Sequence, residues 1–251
     1  MLALKQSDKF PAKRCFGPGR VVGQNRLGRR EQAKDERRTR IVAAARDLMR
    51  EAGVDAVSMK QVAARADVSL STIYNLFGSK EEVFAQVFNG AFEAYRGAVL
   101  ARASADPLQR FFDAIDIAAE FYSADVPFYR SSVWLVDADY SYKLSLQKPR
   151  FSFFRDLAGQ SIEAGLLRRD ADAYVLGLMI VPMFSTPYQA WAGGWIGIDE
   201  FRARAKLGIC LVLRGFCAPA HRDRVRSVLG VLETQVKACR RVSRPRSNSA
   251  G

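Results

Sequence analysis

Ser71, Thr72, Tyr74 and Asn75 bring two hydroxyls, a phenol and an amide into one short stretch of chain. At about 100° per residue they lie away from Ile73 and Phe77, which stand four apart and mark the inner side of a helix. Groups of this kind can hydrogen-bond to nucleic-acid base edges or to phosphate oxygens. No carboxylate shares the face to repel a phosphate. The alternative is an ordinary solvated helix face, so the elements that hold this helix must decide between the two.

Those elements read clearly. Ile41, Ala44, Ala45, Leu48 and Met49 recur at i, i+3, i+4, i+7 and i+8 and predict an amphipathic helix. Gly53 follows where a helix stop is expected. Ser58 and Gln61 make a capping box for a second helix, with Met59, Val62, Ala63 and Ala66 as its stripe. The chain turns at Asp67-Val68, and Ser69 can cap the third helix by accepting a backbone N–H. Gly78 supplies a left-handed stop. Ser79 and Glu82 open a fourth helix, whose stripe is Phe84, Val87, Phe88, Ala91 and Tyr95. A short third helix with a polar outer face, a tight turn before it and basic residues ahead of the group suit insertion into a DNA major groove.

The stretch from Gly53 to Val83 resembles the helix-turn-helix of TetR-type bacterial transcriptional regulators. The matching pieces are Gly53, Ser58, Val62-Ala63, Ala66, Val68-Ser69, Thr72, Ile73-Tyr74, Phe77 and Ser79-Lys80-Glu81. Beyond this stretch only the two-part helical plan is similar. The resemblance implies an all-α fold, with an N-terminal three-helix DNA-binding domain linked by a helix to a larger helical ligand-binding and dimerisation domain. It implies a homodimer on a palindromic double-stranded DNA operator, and a repressor released by a small-molecule effector. Carried over position by position, the DNA contacts are Ser69, Ser71, Thr72, Tyr74, Asn75 and Lys80. Lys80 opens the fourth helix, where backbone N–H groups point outward and favour a phosphate. Three positions depart from the family pattern. Asp67 replaces the usual turn Gly, a position Asp tolerates better than most side chains. Ser71 stands where Gly is common, and Leu76, which cannot bond a phosphate, stands where His is common. Leu70 is open between core packing and contact with a thymine methyl.

Charge and length agree with a polyanionic partner. The 251 residues include 39 Lys and Arg against 26 Asp and Glu, a net charge of +13. Residues 1–40 hold twelve of the cations and four of the acids. Pro11, Pro18 and several glycines, with no apolar stripe, make residues 1–33 read as a basic disordered arm that helps hold DNA. A functionless extension and an organelle transit segment are the other readings of the same composition. Residues 34–90 form the expected DNA-binding domain, 91–239 the helical ligand-binding and dimerisation domain, and 240–251 a basic disordered tail. Helical spacing recurs at Leu108–Tyr122, Phe151–Ala158 and Val225–Val236, and no sustained period-two run predicts a strand.

Ala173 to Ile198 contains no charged residue and is long enough to span a bilayer. Pro182, Pro187, Gly193, Gly194 and Gly197 interrupt it. A helix buried on all sides gives the same pattern, and in the resembling family two late helices pair across the dimer. Ala173–Ala192 and Glu200–Phe216 are the candidates here. The rival reading is a helical membrane-associated or scaffolding protein that uses residues 173–198.

Catalysis, cofactors and metals are not expected. His221 is the sole histidine, and Cys15, Cys210, Cys217 and Cys239 lack metal-ligand spacing. No phosphate loop, dinucleotide fingerprint or nucleophile elbow occurs. Few cysteines and no secretory signal point to the cytoplasm. An apolar or aromatic effector is expected from the aromatic content. Phe112, Tyr122, Phe128, Trp134, Phe154, Tyr188 and Trp191 are the candidate pocket residues, with simple core filling as the alternative.

Overall fold

The computed structural model describes residues 24–102, 104–131 and 140–242, without the side chains of 24–27, 140–147 and 240–242. Ten α-helices follow one another, and no strand occurs among the described residues beyond one isolated bridge between Leu167 and Cys217.

Helix α1 spans Gln24–Ala52 and buries Ile41, Ala44, Ala45, Leu48 and Met49, the expected stripe. It ends at Gly53, whose φ of 80° only glycine adopts freely. Helix α1 corrects the expected boundary of the N-terminal arm. Residues 24–33 are helical and continuous with α1 rather than irregular. No proline or β-branched residue interrupts 24–38, and Glu31 pairs with Lys34 one turn on at 3.7 Å. Residues 1–23 lie outside the described part. At the other end, α10 runs to Val242, so the tail expected from 240 begins later; 243–251 also lie outside the described residues.

Helices α2 (Met59–Arg65) and α3 (Leu70–Phe77) complete a three-helix unit with α1. The Ser58–Gln61 capping box is present in both directions. Helix α4 spans Lys80–Arg102 and joins the unit to the rest. Val83, Phe84, Val87 and Phe88 are buried in its first half and Phe92, Tyr95 and Val99 further on, and α4 packs against α1 and α3 as well as against α5 and α7. The expected boundary at residue 90 therefore falls inside one continuous helix.

The larger part contains α5 (Pro107–Ala124), α6 (Val126–Arg130), α7 (Tyr140–Glu163), α8 (Ala173–Ala192), α9 (Ile198–Phe216) and α10 (Arg222–Val242). Helix α9 packs against α5, α8 and α10, and α8 packs against α7. Gly177 permits the α7–α8 approach: a Cβ there would stand 3.0 Å from the Phe151 ring and 3.2 Å from Arg155 Cβ. Asp172 caps α8 by accepting from Tyr174 N at 2.7 Å. No described helix is long and apolar enough to cross a membrane.

Asp106 performs two tasks. It caps α5 by accepting from Leu108 N at 3.2 Å, and it accepts a two-pronged bond from Arg224 of α10. The Arg224 guanidinium holds its carboxyl below the usual carboxylate range. A carboxylate with a depressed pKa stabilises the fold above its unfolded pKa of about 3.9 and loses that contribution as pH falls through the folded value. Asp106→Asn preserves a cap and removes the charge. Its stability deficit in urea titrations is expected to be constant above roughly pH 5 and to shrink below about pH 4. A deficit independent of pH would assign the whole effect to the cap.

Candidate nucleic-acid interface

The N-terminus of α3 is built from hydroxyls. Ser69 Oγ accepts from Thr72 N at 3.1 Å, and it lies 2.9 Å from Ser71 Oγ and 2.8 Å from Thr72 Oγ1. Three hydroxyls therefore cluster at the positive end of a helix, an arrangement that suits a phosphate oxygen. The turn before it closes with Val68 N donating to Ala63 O at 3.0 Å, and Asp67 takes a left-handed φ of 52°, as an Asp can.

Helix α3 is anchored on one side only. Ile73 is fully buried, and Leu70, Leu76 and Phe77 are half-buried against the core. Leu70 packs partly against the core, in keeping with the first of its two readings. Tyr74 is 46% exposed, and Ser69, Ser71 and Asn75 are exposed with it. Thr72 departs from the outward placement: it is half-buried, and its hydroxyl is engaged with Ser69. Lys80 stands at the start of α4 with its ammonium 5.1 Å from the Phe84 ring centroid. Of the six expected residues, Ser69, Ser71, Tyr74 and Asn75 are exposed at α3, while Thr72 and Lys80 are half-buried.

Arg38 was not singled out by the sequence. It donates to Leu76 O at 3.1 Å and lies 5.8 Å from the Phe77 ring centroid. It thereby satisfies a carbonyl left open at the end of α3 and ties the helix to α1. No local signal reveals this, because the partners lie 38 residues apart.

The aromatic residues of the larger part form a packed cluster. Tyr122 lies 4.8 Å from the Tyr129 and Tyr188 rings, 5.2 Å from Trp191 and 5.4 Å from Phe201, centroid to centroid. The Tyr188 phenol donates to Tyr129 O at 2.9 Å. Burial pushes the Tyr122 phenol well up and that of Tyr129 up to about 12, so both stay neutral. Phe128 joins through Tyr129 at 5.0 Å, and Phe154 through Phe184 at 5.5 Å. Phe112 sits apart, under Lys206 of α9. Trp134 lies outside the described residues. The sequence missed Phe153, which links Tyr95 to Phe154 and lines a cleft of about 270 Å³ between α4 and α7 together with Leu100, Leu157 and a polar rim.

Among the described residues no group of His, Cys, Asp and Glu could hold a metal. Burial raises the Cys210 thiol to about 11 and also lifts that of Cys217. Thiolate is therefore scarce at both, which speaks against a redox-sensing role.

A capped, one-side-anchored helix with an exposed polar face, set on a three-helix unit and joined to a larger helical part, has the build of a helix-turn-helix unit. Residues 41–87 match the family model for bacterial regulatory proteins of the tetR family. The repressor KstR of Mycolicibacterium smegmatis is 37% identical over 73 residues, 29% of this chain and 35% of that protein. The activator FasR of the same organism is 32% identical over 116 residues, 45% of this chain and 52% of that protein. The chain thus spans about a third to a half of the length of these relatives. The Thermus thermophilus FadR, solved with lauroyl-CoA, superimposes with a TM-score of 0.62 at 21% identity, covering 71% of this chain and 94% of that one. Residues 41–87 thus carry a DNA-binding unit of the tetR type, and the chain shares its helical fold with structures of that family.

Proposed function

We propose that the protein is a dimeric transcriptional repressor that binds a palindromic DNA operator and is released by a small apolar or aromatic effector, without enzymatic activity and within the cytoplasm. The exposed polar face of α3 carries this reading: Ser69, Ser71, Tyr74, Asn75 and Lys80 surround it, with Thr72 holding the cap. Residues 34–90 act as the DNA-binding unit and 91–239 as the effector-binding and dimerisation unit. The similarity to KstR supports repression. The lauroyl-CoA held by the structurally similar FadR is in keeping with an apolar effector, as is the aromatic cluster around Tyr122.

Dimerisation is supported by α8 and α9. Tyr174, Val175, Leu178, Met179 and Met183 of α8 and Leu211 of α9 are exposed on the single subunit. An exposed apolar row at helical spacing along α8 supports an interface there. The same residues account for the uncharged stretch without a bilayer.

The test is selection of duplexes from a random library, followed by binding across a salt series. The wild type is expected to recover a two-fold symmetric sequence with half-site centres about 34–36 Å apart. Lys80→Ala should weaken all duplexes alike and flatten the log–log salt slope by about one unit for each contact removed. Asn75→Ala should relax base preference at one position per half-site, by about 1–3 kcal/mol of discrimination if the contact is bidentate. Recovery of no preferred sequence by the wild type would refute the regulator reading.

A further inference from the structure

Residues 28–37 of α1 are mostly exposed and bury no side chain among the described residues, yet the stretch is patterned. Arg30, Lys34 and Arg37 lie on the line that continues through Ile41, Ala44 and Leu48, at spacings of four, three, four, three and four. The face of α1 that is apolar and buried from Ile41 onward is therefore basic upstream of it. Arg29 and Arg40 lie about 80–100° to one side of this line and Glu31 about as far to the other, with Asp35 and Glu36 further round the helix. Lys34 has Glu31 as its neighbour at 3.7 Å, but among the described residues Arg29, Arg30, Arg37 and Arg40 have no carboxylate partner.

Such an arrangement is costly in isolation. Like charges one turn apart, as at Arg30 and Lys34, destabilise a helix by a few tenths of a kcal/mol each. A polyanion laid on that face reverses the sign. The root of this stretch adjoins α3: Arg38, about 80° round the helix from the line, is bonded to Leu76 O and lies on Phe77, both at the end of α3. From Arg29 to Arg40 the helix rises about 16 Å, close to the length of five base pairs.

We propose that residues 29–40 of α1 form a rigid basic ridge that lies along the phosphate backbone beside the bases read by α3. This rests on the DNA-binding reading above and extends it: the ridge adds affinity without sequence preference and lengthens the footprint of each subunit.

The experiment uses the full chain and a selected operator in two lengths. One duplex is trimmed to the two half-sites, and the other carries about one extra helical turn on each side. The wild type is expected to bind the longer duplex more tightly and with a steeper salt slope. The Arg29→Ala, Arg30→Ala, Lys34→Ala, Arg37→Ala variant should lose that difference, its slope falling by about 0.9 for every phosphate contact removed. Alanine maintains the helix, so circular dichroism and the melting temperature should be unchanged. Equal slopes for variant and wild type on the long duplex would overturn the ridge while leaving the α3 contacts standing, and an equal loss on both lengths would overturn its placement beside the half-sites. Loss of adhesion to phosphatidylserine vesicles with unaltered DNA slopes would reassign the ridge to a membrane surface and overturn the proposal. Failure of the wild type to bind any duplex would remove the DNA-binding reading and the ridge with it.

Discussion

Met179→Lys is expected to turn a dimer into a monomer and to lower operator affinity by about a hundredfold or more. Met179 is 48% exposed on the single subunit, in the apolar row that also contains Leu178 and Met183. A lysine there can reach water, so the subunit itself should fold as before. Across a two-fold axis the same lysine would be buried without a partner and would face its own copy, a cost of about 3–5 kcal/mol. That is enough to shift a dimer constant by two to three powers of ten. Operator binding follows, because a linked pair of recognition helices gains the effective concentration of the second site, which a monomer lacks. Met179→Leu should preserve both properties. Met183 is less suited to the test: its side chain fills the space over Gly208 of α9, with Sδ 3.0 Å from where a Cβ would stand. Sedimentation velocity and anisotropy on one operator duplex read the two effects. A wild type that sediments as a monomer at micromolar concentration would refute the interface and reopen the membrane-surface reading of α8.

The helix-turn-helix was legible because its determinants are local. Ser58 with Gln61, Ser69 with Thr72, and the glycines at 53 and 78 each act within a few residues, and each occupies the position that its chemistry predicts. The outward placement of Thr72 was not legible, since two hydroxyls that compete for one cap cannot be ranked by periodicity. The helical state of residues 24–33 is hidden from apolar spacing for a related reason. Helical phase is usually read from apolar residues, and in 29–40 the phase is written in arginines and lysines instead. In the larger part, helical spacing identified most of the helices but not what the aromatics do. Tyr122, Tyr188 and Trp191 come from α5 and α8, and only the fold brings their rings together. Contacts between distant segments, such as Arg38 with Leu76, leave no trace in spacing at all.

The connection between the two parts leads to the second large effect, an asymmetry between two substitutions. Asp125, at the junction of α5 and α6, is buried, with 11% of its side chain exposed. Arg50 of α1 donates to it at 2.9 Å and Arg46 at 3.4 Å, and Arg46 also stacks 4.8 Å from the Phe128 ring centroid. The two arginines are 43% and 51% exposed, so each keeps access to water if the carboxylate is removed. Removing Arg50 is the worse change, because it leaves a buried charge with only the longer of its two bonds. Arg50→Ala is therefore expected to cost about 1–3 kcal/mol, a drop of roughly 2–10 °C in melting temperature for a chain of this size. Asp125→Ala should cost less than this, and Arg50→Ala added to Asp125→Ala should cost close to nothing. The double-mutant cycle isolates the pair, since both residues touch the same junction and no part of α3. Additive losses would mean that the bond contributes nothing and that α1 is held to α6 by the Arg46–Phe128 contact and apolar packing alone. A strong coupling energy would instead show that the Arg50–Asp125 bond ties α1 to the α5–α6 junction, three residues after Tyr122, whose ring touches Tyr129 within α6.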